Sequence, residues 1–260
     1  MTHLCTAERA CSLDNPVWWA LTGTDRRLSE GGEKARRYRA AVSRFAAVSD
    51  EHDPGAWAEL APLAMGRPVG VITSAVPSGW AELQMIRLVQ MTWAAGPDER
   101  LPSAHEFVPL TGADVPEMLA LVARTHPGPF ESSTIDLGGY RGWRVNGELV
   151  CMAGERMHPG DWTEISAVCT APGHQGQGLA ASVVGSLVND IRASGRHPFL
   201  NVRVENAGAR HLYEKLGFEE RAQMTLRVLQ PFQRDDASAE VPHRGITAMM
   251  PAARCDEPAN

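Results

Sequence analysis

The sequence predicts an α/β (α+β) protein, and three observations carry that reading. Residues 140–168 hold three consecutive strand-like runs joined by short connections, the pattern of an antiparallel meander. The stretch Glu164-Ile-Ser-Ala-Val-Cys-Thr-Ala-Pro-Gly-His-Gln-Gly-Gln-Gly-Leu-Ala180 then passes from an apolar strand, broken at Pro172, through a glycine-studded turn into a long amphipathic pattern. A further strand and a helix complete this block by Phe218. A helix that starts after such a turn is an anion cradle. Its first backbone N–H groups have no partner inside the helix, and its dipole favours negative charge there. Gly176 and Gly178 let that backbone approach a ligand without side chains in the way.

Taken in order, residues 1–33 are loop-rich, with Asn15-Pro-Val-Trp-Trp19 as an apolar anchor. Ala35, Tyr38, Ala41, Val42, Phe45 and Ala46 follow helical spacing, which predicts a helix over 34–48; Lys34, Arg36, Arg37, Arg39 and Arg44 suggest an anion site, with a solvated helix face the preferred reading. A polar break at 50–54 leads to a Val/Ile-rich strand over 68–75. Residues 82–95 fit neither period. The polar, proline-bearing 96–103 stretch reads as a linker.

Beyond it, 107–110 is a short strand, and Thr111 with Asp114 forms a helix start whose buried stripe is Val115, Met118, Leu119 and Val122. Residues 125–139 are a Gly/Pro/Ser-rich loop. Asn146-Gly147, between the strands 140–145 and 148–153, favours a type I′ hairpin. The helix after the glycines buries Leu179, Val183, Val184, Leu187, Val188 and Ile191 and ends at Gly195. Leu200, Val202 and Val204 alternate in a strand, Asn206 caps a helix that Gly217 stops, and 218–229 is the last strand.

The chain has 260 residues, 43% hydrophobic and 22% charged, enough to bury a sizeable core as an ordinary globular protein. Its net charge of −6 argues against a nucleic-acid partner. Neither a span of roughly 18 apolar residues nor a signal-peptide pattern is present, so no membrane partner and a cytoplasmic location are expected. Cys5, Cys11, Cys151, Cys169 and Cys255 show no C-x-x-C and no metal-ligand spacing with histidine. A reduced protein without a metal site is expected.

Residues 105–230 resemble the GNAT superfamily of acyl-CoA N-acyltransferases. Gln175-Gly-Gln-Gly-Leu-Ala180 is similar to that family's Arg/Gln-x-x-Gly-x-Gly/Ala pyrophosphate signature. Asn206-Ala-Gly-Ala-Arg-His-Leu-Tyr-Glu-Lys-Leu-Gly-Phe218 resembles its closing Asn…Ala…Tyr-x-x-x-Gly-Phe block. Glutamine at 175, where arginine is commoner, shifts phosphate binding toward backbone donors. The resemblance implies a GNAT fold, with a central mixed, largely antiparallel twisted sheet flanked by helices. It also implies a catalytic domain over 104–230, followed by a tail over 231–260. Some relatives carry a degenerate GNAT-like half before the catalytic one, and residues 1–98 are read as such a half.

The same resemblance implies acetyl-CoA as acyl donor. Val168, Cys169 and Thr170 would bind its pantetheine arm through their backbone, with Gln175, Gly176, Gln177, Gly178, Leu179 and Ala180 around its pyrophosphate. Asn206 would reach the arm, although helix capping alone explains that residue. Tyr213 falls where relatives place a tyrosine near the thioester sulfur. A phenol of pKa about 10 can protonate a departing thiolate of pKa about 8.5. Glu164, on the strand beside the thioester, is read as the general base, directly or through water, with Glu155 and Glu131 as runners-up. Each has a plainer reading: a core tyrosine, a surface strand carboxylate, a simple turn.

The function expected is direct transfer of acetyl from acetyl-CoA to a primary amine of a small molecule, by a monomer or homodimer. The alternatives are a protein N-terminus or lysine as acceptor, and a non-catalytic acyl-CoA-binding regulator. Covalent transfer through Cys169 is a further route. Gly176-Gln-Gly-Leu-Ala-Ala181, with Glu205 ending the next strand, also satisfies a dinucleotide-binding fingerprint. Against it, the glycines lie several residues beyond the strand, and the strands upstream form hairpins instead of βαβ units.

Overall fold

The computed structural model describes residues 12–94, 96, 100–102 and 105–232. Cys5, Cys11, Cys255, most of the 231–260 tail and part of the 96–103 linker lie outside the described residues.

Eight strands form one twisted sheet: β4 (Val69–Ile72), β5 (Trp80–Trp93), β6 (Val108–Pro109), β7 (Arg141–Val145), β8 (Glu148–Glu155), β9 (Trp162–Thr170), β10 (His197–Arg203) and β11 (Phe218–Pro231). Their order is β4-β11-β5-β10-β9-β8-β7-β6. Only β9 and β10 pair in parallel, so the sheet is mixed and largely antiparallel, as expected. A smaller sheet joins β1 (Ser29–Gly31), β2 (Ala35–Tyr38) and β3 (Ala46–Val48). The helices are α1 (Pro16–Thr22), α2 (Pro54–Ala64), α3 (Val115–Thr125), α4 (Leu179–Ala193) and α5 (Ala207–Lys215).

Local signals explain the elements that position the site. Asn146 and Gly147 both have positive φ, 51° and 87°, which the right-handed strand twist demands of a two-residue hairpin turn. Thr111 and Asp114 close a reciprocal capping box ahead of α3. The Asn206 side chain accepts a hydrogen bond from the Ala209 N–H, at 3.1 Å, and so caps α5.

The two faces of the sheet are packed differently. Val183, Val184, Leu187, Val188 and Ile191 of α4 cover the face that carries Val89, Met91, Leu200 and Val202. On the opposite face the N-terminal segment brings Leu13, Val17, Leu21, Tyr38 and Phe45 against Phe199, Leu226, Ile86 and Leu88.

Three expectations change. The helix expected over 34–48 is the β2–β3 hairpin instead, and Arg36 and Arg37 are buried. Arg36 donates to the carbonyls of Gly31 and Gly32, and Arg37 to those of Tyr38 and Leu63, so carbonyl oxygens take the place of water. Residues 15–22, expected as loop, contain α1, capped by Asn15. The unassigned 82–95 stretch is β5, a long strand inserted between β10 and β11. Hydrogen-bonded sheet therefore runs across the expected division at 98/104, because β4 and β5 precede it and their partners follow it.

Candidate active site

The site begins where β9 and β10 part. Their ladder stops at Phe199↔Glu164, although both strands continue, β9 to Thr170 and β10 to Arg203. A bulge sits in the same stretch. The β8–β9 register shifts between Met152 and Gly154, and Ala167 takes φ 53°, a left-handed conformation that costs a side-chain-bearing residue. The bulge interrupts the alternation of side chains between the two faces along β9.

Two cavities open at this split. The smaller, about 390 Å³, is lined by Val168, Cys169, Thr170, His174, Gln175, Gly176, Gly178, Leu179, Ala180 and Tyr213, among others. It lies at the N-terminus of α4, where Gly178 is the left-handed cap with φ 77° and Gly176 has φ 74°. A Cβ built at either glycine meets nothing within 4 Å, so glycine is needed there for backbone conformation, and the space beyond stays open to a ligand. These residues fit a diphosphate held by backbone N–H groups at a helix start. Of the expected cradle, Gln177 alone lines neither cavity.

The larger cavity, about 1120 Å³, shares Val168, Cys169, Thr170, Gln175, Ala209 and Tyr213 with the smaller one. Asn206 lines it too, while its side-chain oxygen is engaged in capping. Tyr213 is 8% exposed and packs edge-on to Phe218. Burial pushes its phenol up to about 12, so it is a protonated donor across the physiological range.

Glu164 needs correction as the expected base. It is fully buried and lines neither cavity. Its carboxylate is gripped by Arg156, Nε to Oε2 at 2.8 Å and Nη2 to Oε1 at 2.5 Å, and it also accepts from Asn201 Nδ2 at 2.8 Å. A carboxylate so occupied balances a buried cation, and its oxygens point to Arg156 and Asn201 instead of into a cavity. Glu155 is also committed elsewhere. It bonds His158 Nε2 at 3.0 Å, and His158 Nδ1 meets the buried Asp25 at 2.9 Å. Glu131 is the carboxylate that does line the larger cavity, where it pairs with Arg44 at 2.6 Å.

The Cys169 thiol is pushed up to about 12 and the Cys151 thiol to about 11, both by burial, which keeps them protonated at neutral pH and argues against covalent transfer through sulfur. Both are free cysteines. Among the described residues no cluster of metal-ligating side chains occurs, and no helix is long and apolar enough to cross a membrane.

Arg156, Asn201 and His126, all lining the larger cavity, were not anticipated. Arg156 becomes notable only beside Glu164, and only folding brings together the β8–β9 connection and the strand that follows it.

A parallel strand pair whose ladder stops short, beside a glycine-rich helix start and two adjoining cavities, marks this end of the sheet as the candidate site. Comparison with known proteins names the family. The FR47-like protein family profile matches residues 140–228. A crystallised GNAT-family protein from Novosphingobium aromaticivorans is 38% identical, with 85% of this chain and 99% of that chain covered and a TM-score of 0.76. The chain belongs to the GNAT family. A GCN5-related N-acetyltransferase from Kribbella flavida, 17% identical over 86% of this chain and 96% of its own, shares the fold with a TM-score of 0.58. No curated protein matches the sequence. The dinucleotide-binding alternative falls with this topology, since the one parallel pair cannot make a doubly wound sheet.

Proposed function

We propose that the chain is an N-acetyltransferase that passes the acetyl group of acetyl-CoA directly to the primary amine of a small molecule. The observation that carries this reading is the seam at Val168–Thr170 and Tyr213, which the helix-start cavity and the larger cavity share. A donor whose phosphates lie on Gly176–Ala180 has its thioester end at that seam, and an amine in the larger cavity meets it there. The edge of β9 beyond Glu164 is not paired with β10, so its backbone groups are available to an extended pantetheine arm and to the developing oxyanion.

Tyr213 is the general acid toward the leaving thiolate. Glu131 is the carboxylate best situated to take the ammonium proton, directly or through water. Glu164 acts at one remove, holding Arg156 against the cavity wall. Most of the rate then comes from orientation and from amide donors fixed before the reaction begins.

The test is thiol release from acetyl-CoA across a panel of primary amines, with wild type and Glu131→Gln. Turnover on at least one amine, depressed in the variant most strongly at low pH, supports the reading. Tight CoA binding with no transfer to any amine, peptide or lysine side chain makes the protein an acyl-CoA-binding regulator.

A further inference from the structure

The floor of the larger cavity can be read strand by strand. Gly70 lies opposite Val228, Val228 opposite Gln84, Leu226 opposite Ile86, and Arg203 opposite Leu88. Directly opposed residues of antiparallel strands project to the same face, so one surface runs unbroken across β4, β11, β5 and β10. Three strand spacings make it about 14 Å wide, before the gap to β9 is added. Its middle is apolar, with Ile86, Leu88 and Leu226 below and the Phe45 ring above. This shape suits an elongated molecule better than a compact one.

The charges at its far end are one-sided. Arg67, just before β4, is exposed; its backbone N–H donates to the Ala64 carbonyl at 3.1 Å, and its guanidinium has no hydrogen-bond or ion-pair partner among the described residues. Arg37 stands close enough to feel the Arg67 charge, and its one nearby carboxylate is Glu30, at 3.6 Å. Arg37 uses Nε and Nη1 on the carbonyls of Tyr38 and Leu63. Both arginines line the larger cavity and neither lines the cradle at α4, so the donor's phosphates have their own site elsewhere. Two guanidinium groups line this end of the surface, one buried and one exposed, and their like charges make it attractive to an anion.

Resting on the transferase reading above, we propose that the acceptor is an elongated amine whose far end carries an oxyanion, a carboxylate or a phosphate, seated on Arg67 and Arg37. The amine lies at the β9 seam, an apolar chain crosses Leu88, Ile86 and Leu226, and the oxyanion reaches the β4 end. Arg67 is thereby a specificity residue that leaves the chemistry at the seam untouched.

A ladder of ω-amino acids tests this. Glycine, ω-aminohexanoate, ω-aminooctanoate and ω-aminododecanoate are each paired with the corresponding carboxamide, and ω-aminooctyl phosphate distinguishes the two oxyanions. Calorimetry on the CoA-saturated protein gives affinity, and thiol release from acetyl-CoA gives transfer. Each added methylene extends the chain by about 1.2 Å, so the longer members are the ones that cross the trough. The expected result is a preference of about tenfold or more for carboxylate over carboxamide in the longer pairs, the worth of one charge-assisted contact, and none for glycine over glycinamide. Arg67→Gln should abolish that preference and Arg67→Lys retain part of it. Equal affinity within every pair, a preference that survives Arg67→Gln, tightest binding by glycine, or binding by none of the series overturns the proposal. Anion-selective binding without thiol release refutes the transferase reading and leaves only the oxyanion site on Arg67 and Arg37 standing. Thiol release with no preference for the anion does the reverse.

Discussion

Replacing Glu164 with alanine separates a structural carboxylate from a catalytic one. In the wild type Glu164 is fully buried, and the Arg156 side chain that grips it is 11% exposed. Removing the carboxylate strands a guanidinium among Phe45, Tyr38 and the strand backbone, with its opposite charge gone. A buried ion pair broken from one side costs about 3–5 kcal/mol. For a chain of this size each kcal/mol moves the melting temperature by about 2–4 °C, so Glu164→Ala should melt roughly 6–20 °C below wild type. The assay is thermal unfolding followed by tryptophan fluorescence, paired with acetyl-CoA turnover at a temperature where both proteins are folded. A second variant sharpens it. Glu164→Leu combined with Arg156→Met removes both charges and fills similar volume, and should recover most of the lost stability. If Glu164→Ala melts within about 2 °C of wild type and has lost turnover, the ion-pair argument is wrong and Glu164 is the base after all.

Three further outcomes follow from the site. Tyr213→Phe should lower turnover by about 10²–10⁴ while the calorimetric affinity for CoA stays near wild type, because the ring still packs on Phe218; unchanged turnover removes Tyr213 from the mechanism. Gly178→Leu should abolish CoA binding at a cost of about 1–2 kcal/mol in stability, since a side chain at φ 77° is strained but collides with nothing; a folded variant that binds CoA normally refutes the cradle. His158 gives a pH dependence. Burial alone would lower its pKa, but the hydrogen bonds to Asp25 and Glu155 outweigh burial and raise it to about 9. A folded-state value above the unfolded one stabilises fully below about pH 6.5 and is lost as pH rises through about 9, a loss of about 3 kcal/mol. Urea unfolding across that window should show the decline in wild type and a flat, lower profile in His158→Gln.

Residues 105–230 were legible where chemistry is local. Asn146-Gly147 dictates its own turn, Asn206 its own cap, and the glycines at 176 and 178 their own backbone. The N-terminal half misled because its signal is shared. Ala35, Tyr38, Val42 and Phe45 recur at helical intervals, yet every residue of β2 is buried, so no polar alternation marks it as a strand. Arg36 and Arg37 look like a solvated face until the carbonyls that receive them are known. In β5 the even-numbered residues face a cavity and the odd ones near Leu83 and Met85 face solvent, so neither side shows the contrast on which periodicity depends. Glu164 lies on β9, and the sequence reads it as the general base. Its role was hidden because Arg156 and Asn201 meet it only through the turn before β9 and the neighbouring strand.

The insertion of β5 between β10 and β11 has a consequence for how the protein is made. Trp80–Trp93 leaves the ribosome long before either of its sheet partners exists, and β11, which pairs with both β5 and β4, is among the last segments synthesised. During that interval both edges of a long strand bearing Leu83 and Met85 stand open, the situation in which nascent chains misassociate. Pairing across so much intervening chain is also slow, because the entropy of closing the loop is lost before any contact repays it. The larger cavity, lined from β4, β5, β10 and β11, is therefore complete only once these strands have paired.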